Sequence, residues 1–260
     1  MRALGRAKVL MLAPALLALA ACDVGDFELA ARAKFEKTVS LDPEGRFTLD
    51  NVNGAITVEP WDRPMVHIEA EKAAATQDHL DGIEIQIEGE GEQVRVKTRF
   101  PRRGFFGGRA GKVDYHIQMP AQARLELHNV NGKVRVEGMH GRVQASTVNG
   151  AVEVADASGV VQVSTVNGSI KASYRRAAPE GSHTYSTTNG SVTVSLPEDA
   201  AGQFEAHTVN GGISTDFPLN VTGKIGPRRL EGRLGDGRAN YQIKTVNGSV
   251  RVLKRGERTV

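Results

Sequence analysis

The chain has 260 residues, 24% of them charged and only 5% aromatic, with 29 glycines and a single cysteine. Lys and Arg number 33 against 30 Asp and Glu, but Arg2, Arg6 and Lys8 lie at the extreme N-terminus, so the rest of the chain carries 30 of each sign and is neutral. That balance removes the electrostatic footprint of a nucleic-acid-binding protein, the lone cysteine excludes an intrachain disulfide, and the scarcity of rings argues for thin, similar layers.

Residues 9–21 form an apolar run of 13 behind the three cations. This length suits a secretory h-region and falls short of the roughly 20 residues of a membrane-spanning helix. The run ends in Leu19-Ala20-Ala21-Cys22, which resembles the lipobox of bacterial lipoproteins, where cleavage precedes the cysteine and its sulfur is diacylated. Ordinary cleavage after Ala18-Leu19-Ala20 would instead leave a free thiol in an oxidising compartment. The expectation is therefore an exported lipoprotein, with residues 1–21 as signal peptide and 22–34 as tether. Acyl chains on Cys22 hold it to a membrane, each buried methylene contributing about 0.8 kcal/mol. Asp23 resembles an inner-membrane retention signal, and the periplasmic face of either the inner or the outer membrane fits.

Residues 35–120 read as strands around "GRFTLDNVNGAITVEPWD", "MVHIEAE", "IEIQIEGEGEQVRVKTRF" and "VDYHIQMP", with a short Ala-rich helix over 72–80. The stretch "RFPRRGFFGGRAGK" (99–112) breaks the pattern. It reads as a solvated insertion. The functional alternative is a basic-aromatic contact with a membrane or anionic polymer through Arg102, Arg103, Phe105, Phe106 and Arg109.

From residue 121 onward the chain repeats itself. Asn-Gly occurs at Asn53-Gly54, Asn131-Gly132, Asn149-Gly150, Asn167-Gly168, Asn189-Gly190, Asn210-Gly211 and Asn247-Gly248. From Asn131 the intervals are 18, 18, 22, 21 and 37, the last near twice the unit. A fixed period of this size marks a repeat architecture. An antiparallel meander with Asn-Gly hairpins would put Val130, Val148, Val166, Val209 and Val246 on the polar face and leave the apolar face without a cover. The pattern is better met by an all-β, solenoid-type fold of 18–22-residue coils over 121–260, with 35–120 as an N-terminal β region capping it. Successive coils stack in parallel about 4.8 Å apart, and the asparagines form an amide ladder. The glycines take a φ > 0 corner, and the pre-Asn valines turn inward.

"VNGAITVEPWDRPMVHIEAEK" and "VDYHIQMPAQARLELHNVNGKVRVEGMHGRVQASTVNGAVEV" resemble a widespread group of bacterial adhesin-like envelope domains of unknown function. The resemblance runs from about Phe35 to the C-terminus, with Pro60-Trp61-Asp62 where the group usually has Gly-Trp-Asp. It implies a β-solenoid-like fold and an envelope location, and it brings no catalytic residues.

Motifs for chemistry are missing from the sequence. The seven histidines (His67, His79, His116, His128, His140, His183, His207) show no paired zinc spacing, and His128 and His207, three residues before an Asn-Gly, read as polar residues on exposed strand positions. Glu153 with Asp156, or Glu88 with Glu90 and Glu92, are the only carboxylate groupings weighed for glycosidase work, and they read as solvated faces. The expected function is non-enzymatic, with no cofactor and no metal. The lipid-anchored module presents polar ladders, with Gln144, Ser146, Glu153, Gln162, Ser164 and Lys171 outermost, to a glycan, a cell-wall polymer or a protein. The alternatives are an envelope-stress sensor or regulator and, further off, a carbohydrate-active enzyme on the same scaffold.

Overall fold

The computed structural model describes residues 31–101, 111–176, 180–218 and 226–255. Each coil contributes one strand to each of two sheets. The first sheet holds the leading strands: β7 (Arg124–His128), β9 (Val143–Asn149), β11 (Val161–Asn167), β13 (Gly181–Asn189), β15 (Gly202–Asn210) and β18 (Ala239–Asn247). After each Asn-Gly corner the chain enters the second sheet as β8 (Val134–Glu137), β10 (Val152–Ala157), β12 (Ile170–Tyr174), β14 (Val192–Leu196), β16 (Ile213–Thr215) and β19 (Val250–Lys254). All of these pair in parallel with the equivalent strands of neighbouring coils. The fold is all-β. Period-two alternation decides which side is core: along β9 the residues Val143, Ala145 and Thr147 are buried while Gln144 and Val148 are exposed.

The N-terminal part belongs to the same stack. β1 (Ala31–Asp50) crosses both sheets, and its second half lies parallel between β7 and β5 (Gly91–Arg99). β2 (Ile56–Trp61) lies parallel between β8 and β6 (Lys112–Pro120). Antiparallel strands finish this end: β3 (Met65–Ala74) bridges β6 and the first half of β1, and β4 (Glu84–Glu88) covers β5. The helix α1 spans only Gln77–Asp81, with Thr76 as N-cap. The expected start at residue 72 is wrong because Lys72–Ala74 continue β3, paired to β1 on one side and, for Lys72 and Ala73, to β6 on the other, with Ala73 and Ala74 fully buried. Pairing on two sides overrides helix propensity.

The coils do not stack in chain order. The final coil, β18 and β19, sits between the β13–β14 coil and the β15–β16 coil. The chain leaves Asn189, builds the outermost coil, and lays β17 (Arg229–Leu234) antiparallel against β15. Only then does it return to fill the vacant rung. A covering antiparallel strand on one sheet and a three-residue edge strand on the other blunt the open end.

Candidate interaction surface

Four residues at each corner have separate tasks. The asparagines form one continuous ladder, each Nδ2 donating to the Oδ1 of the next: Asn131 to Asn53, Asn149 to Asn131, Asn167 to Asn149, Asn189 to Asn167, Asn247 to Asn189 and Asn210 to Asn247, all at 2.7–2.9 Å. Asn53 ends the ladder by donating to the Gly111 carbonyl. The ladder stands on the surface.

The glycines are required by close approach more than by dihedral. A Cβ on Gly150 would lie 2.0 Å from the Gly132 carbonyl oxygen, and Gly132, Gly168, Gly190, Gly211 and Gly248 meet their neighbours in the same way at 2.0–2.1 Å. Gly54 meets the carbonyl of Val113 at 2.0 Å. Gly54 (φ 125°) and Gly132 (φ 139°) do adopt positive φ, but Gly150, Gly168 and Gly211 do not fall in that region. The expected common φ > 0 is therefore corrected: backbone contact between coils is what the corner glycines share.

The valines contradict the expectation most plainly. Val52, Val130, Val148, Val166, Val209 and Val246 are 36–43% exposed and point outward. The inward place is two residues before the corner asparagine, held by Thr147, Thr165, Thr208 and Thr245 before a valine and by Thr187 before Thr188, all buried. Thr165 donates to the Gly150 carbonyl at 3.0 Å, and Thr187, Thr208 and Thr245 donate to the Gly168, Gly248 and Gly190 carbonyls at 2.8 Å. Valine at that inward place would satisfy hydropathy but give the buried corner carbonyl no donor. In the first two coils Asn51 and Asn129 replace the threonine and donate to carbonyls through Nδ2.

Beyond the corner, the leading sheet shows two polar columns in register. One runs Glu126, Gln144, Gln162, Thr184, Gln242, Glu205, and the other His128, Ser146, Ser164, Ser186, Lys244, His207. A shallow groove of about 320 Å³ lies over them, lined among others by His128, Gln144, Ser146, Gln162, Ser164 and Thr184. On the second sheet the outer column alternates in character: Thr57, Arg135, Glu153, Lys171, Thr193, Arg251, Ser214. Glu153 bonds Lys133 at 2.6 Å and Arg135 at 2.8 Å. The Lys133 hydrogen bond, aided by the Arg135 charge, holds the Glu153 carboxyl below the usual range.

That shift opposes a general acid's need. Asp156 meets Arg255 at 2.6 Å and Arg175 at 3.6 Å, so the two carboxylates weighed as a pair are each held by cations. Glu88, Glu90 and Glu92 are exposed. Among the described residues no group of three His, Cys, Asp or Glu could hold a metal ion. Cys22 and the loop residues Arg102, Arg103, Phe105, Phe106 and Arg109 lie outside the described residues.

His128 and His207 are exposed as expected, while one histidine lies in the core. His183 is fully buried, its Nδ1 2.8 Å from the Tyr174 hydroxyl, and its ring stacks on Tyr241 at 5.1 Å. Tyr241 stacks in turn on Phe204 at 4.4 Å, and the Tyr174 and Tyr185 hydroxyls are 2.5 Å apart. The sequence signal for this cluster is that, within the repeats from residue 121 on, aromatics occur only from Tyr174 onward.

With this geometry, the family model for Toastrack DUF4097 matches residues 23–253. The chain belongs to that family. No curated protein matches it. A Clostridium sporogenes protein described as a "putative cell adhesion protein" is 12% identical, with 86% of this chain and 100% of that one covered and a TM-score of 0.49. A Bacteroides fragilis "putative adhesin" is 8% identical over 86% and 97% of the two chains, TM-score 0.36. A Parabacteroides distasonis "putative lipid binding protein" is 11% identical over 87% and 98%, TM-score 0.33.

Proposed function

We propose that this family member is a non-enzymatic, adhesin-like module of the cell envelope, lipid-anchored through Cys22, whose leading sheet binds a glycan or cell-wall polymer. The observation that carries the reading is the register of the two outer polar columns, which repeats hydroxyls and amides on successive rungs at a spacing of about 4.8 Å. A polymer lying along the stack meets the same donors and acceptors at each step, so weak contacts add by avidity.

The test is binding of the full chain to purified envelope polymers, with Ser164→Arg placed in the groove. The variant is expected to keep its melting temperature, since Ser164 is exposed, and to bind about tenfold more weakly, a difference of 1.4 kcal/mol. Undiminished binding by a folded Ser164→Arg would remove the leading sheet as the contact. Cys22→Ser should move the protein from the membrane fraction to the soluble fraction. Retention on membranes after a salt wash would remove the lipid anchor.

A further inference from the structure

Among the described residues, three antiparallel pairs set carboxylates opposite each other, Glu36–Glu69, Glu71–Asp114 and Glu205–Glu231. In each an Arg, Lys or His contacts at least one member. The parallel columns hold one stack of like charges, and it has no such relief. Arg46 pairs in register with Arg124. The next coil places Arg142 on the same column, because Leu125 pairs with Val143 and the Leu125 N–H donates to the Arg142 carbonyl. Three exposed guanidinium groups thus occupy consecutive rungs. Like charges directly opposite on neighbouring strands are destabilising, and two arginines on other parallel columns have an acid at hand. Arg95 has Asp50 at 2.7 Å, and Arg135 has Glu153 at 2.8 Å. Among the described residues, no carboxylate lies within 4.0 Å of Arg46, Arg124 or Arg142, and the sole side-chain partner is Gln162, 3.4 Å from Arg142. Glu126, two residues beyond Arg124 on the same face, is turned to His128 at 3.1 Å.

The three arginines line a groove of about 510 Å³ together with Leu125, Glu126 and Gln144. Glu126 and Gln144 also line the groove over the polar columns, so the two form one continuous surface. Asp42, Glu44 and Glu92 border Arg46 and Arg124 on the outer side and confine the positive strip.

We propose that the Arg46–Arg124–Arg142 column is a binding site for the oxyanions of an anionic envelope polymer, which continues from there along the polar columns. This rests on the polymer-binding reading of the leading sheet. Guanidinium is suited to the task, since its planar fork takes carboxylate or phosphate oxygens two at a time. A polyanion with charges on successive units neutralises a column that the protein leaves unneutralised. Beyond the three N-terminal cations the chain is neutral, so the attraction is local.

The experiment measures binding of the full chain to polygalacturonate as the carboxylate source and to inorganic polyphosphate as the phosphate source, with neutral dextran and anionic phospholipid vesicles alongside. Wild type is expected to bind at least one polyanion and not dextran, and to weaken as salt shortens the screening length to about 8 Å near physiological strength. Arg124→Gln should weaken binding about tenfold, and the triple Gln variant should abolish it. Arg251→Gln, an exposed arginine of the opposite sheet with the same change in net charge, should leave it unchanged. Equal losses from Arg124→Gln and Arg251→Gln, or none from either, overturn the site. Arg124-dependent binding to vesicles and not to polymers overturns the polymer as occupant. Envelope polymers that bind wild type and the triple variant alike defeat this inference and leave the broader reading intact. Ser164→Arg tests that reading separately.

Discussion

The coils ending at Asn149 and Asn167 and those ending at Asn189 and Asn210 solve one packing problem at two sizes. The first pair take 18 residues each and bury only Val, Ala, Met and Thr side chains. The second pair take 22 and 21 residues and bury Tyr174, His183, Tyr185, Leu196 and Phe204. The added residues all enter at the corner opposite the asparagine ladder. Between in-register positions the chain advances 10 residues from Val134 to Gln144 and from Val152 to Gln162, but 14 from Ile170 to Thr184 and 13 from Val192 to Glu205, while the ladder side keeps its register. The interior widens at that corner, and stacked rings fill it, His183 on Tyr241 on Phe204. Parallel, in-register coils bring such rings face to face in offset stacks. Coil length, read at the corner away from the ladder, therefore sets the size of side chain that the core accepts.

Phe204→Ala is the hardest blow to the wide end and should cost about 3–5 kcal/mol, against roughly 2 kcal/mol for Val154→Ala in a narrow coil. Denaturant unfolding compares them directly, and equal losses would mean that the rings do not fill the added width. Gly150→Ala attacks what both sizes of coil share. Its Cβ meets a backbone carbonyl, so the coils must separate, and a loss of roughly 3 kcal/mol is expected. Gly212→Ala meets nothing within 4 Å and should stay within about 0.5 kcal/mol of wild type. Similar losses from both would make the corner glycines a matter of turn preference alone.

Alkaline pH should act mainly on the wide end, which holds three of the four buried tyrosines. The fourth, Tyr115 on β6, is pushed up by burial to about 12. Burial raises the Tyr174, Tyr185 and Tyr241 hydroxyls well above their ordinary value near 10. The folded state keeps these protons where the unfolded chain sheds them. Stability is thus whole below about pH 10 and falls as pH rises toward the folded values, by about 1.4 kcal/mol per pH unit for each tyrosine. Unfolding midpoints measured from pH 8 to 12 should show that decline, and Tyr185→Phe should make it shallower. A flat profile would place the rings in contact with water.

The corner residues give smaller contrasts. Thr165→Val removes the donor to the Gly150 carbonyl and should cost about 1–2 kcal/mol, whereas Val166→Thr, one position on and exposed, should be within about 0.5 kcal/mol of wild type. The reverse ranking would put the valines inside. The smallest effect belongs to the end of the ladder. In six of the Asn-Gly pairs the glycine N–H donates to an asparagine carbonyl of the next coil, which hinders its attack on the side-chain amide carbon. Gly211 N–H has no such partner among the described residues, and Asn210 Oδ1 accepts from no further rung. Mass spectrometry of aged protein should find isoaspartate at Asn210 first and spare Asn149.

Much of this was legible because a stacked ladder demands the same residue at each rung. Seven Asn-Gly pairs, with four successive intervals of 18–22 residues, point to parallel coils joined by amides, and period-two alternation marks Val143, Ala145, Val152 and Val154 as core. Three features were not legible. Valine and threonine exchange their expected sides at the corner, because satisfying a buried carbonyl outweighs the hydropathy of one methyl group. The glycine requirement comes from the neighbouring coil and not from the local turn. The arginine column is invisible in the chain because Arg46 and Arg124 stand far apart in sequence, and only β1 lying beside β7 brings them together.

The sequence by itself determined the class of the fold, the shared edge by which coils join, and the interval that makes some coils wide. Only the tertiary structure decided which coil sits on which. Each coil presents the same Asn-Gly edge to its neighbours, so the edge chemistry accepts any order, and the last coil can enter below the one made before it. The choice falls to terms outside the repeat. Rings of Tyr241 must lie between His183 and Phe204, and β17 and β4 must cover strand edges that the repeat leaves open. A repeating pattern is degenerate in stacking order, and non-repeating contacts resolve it.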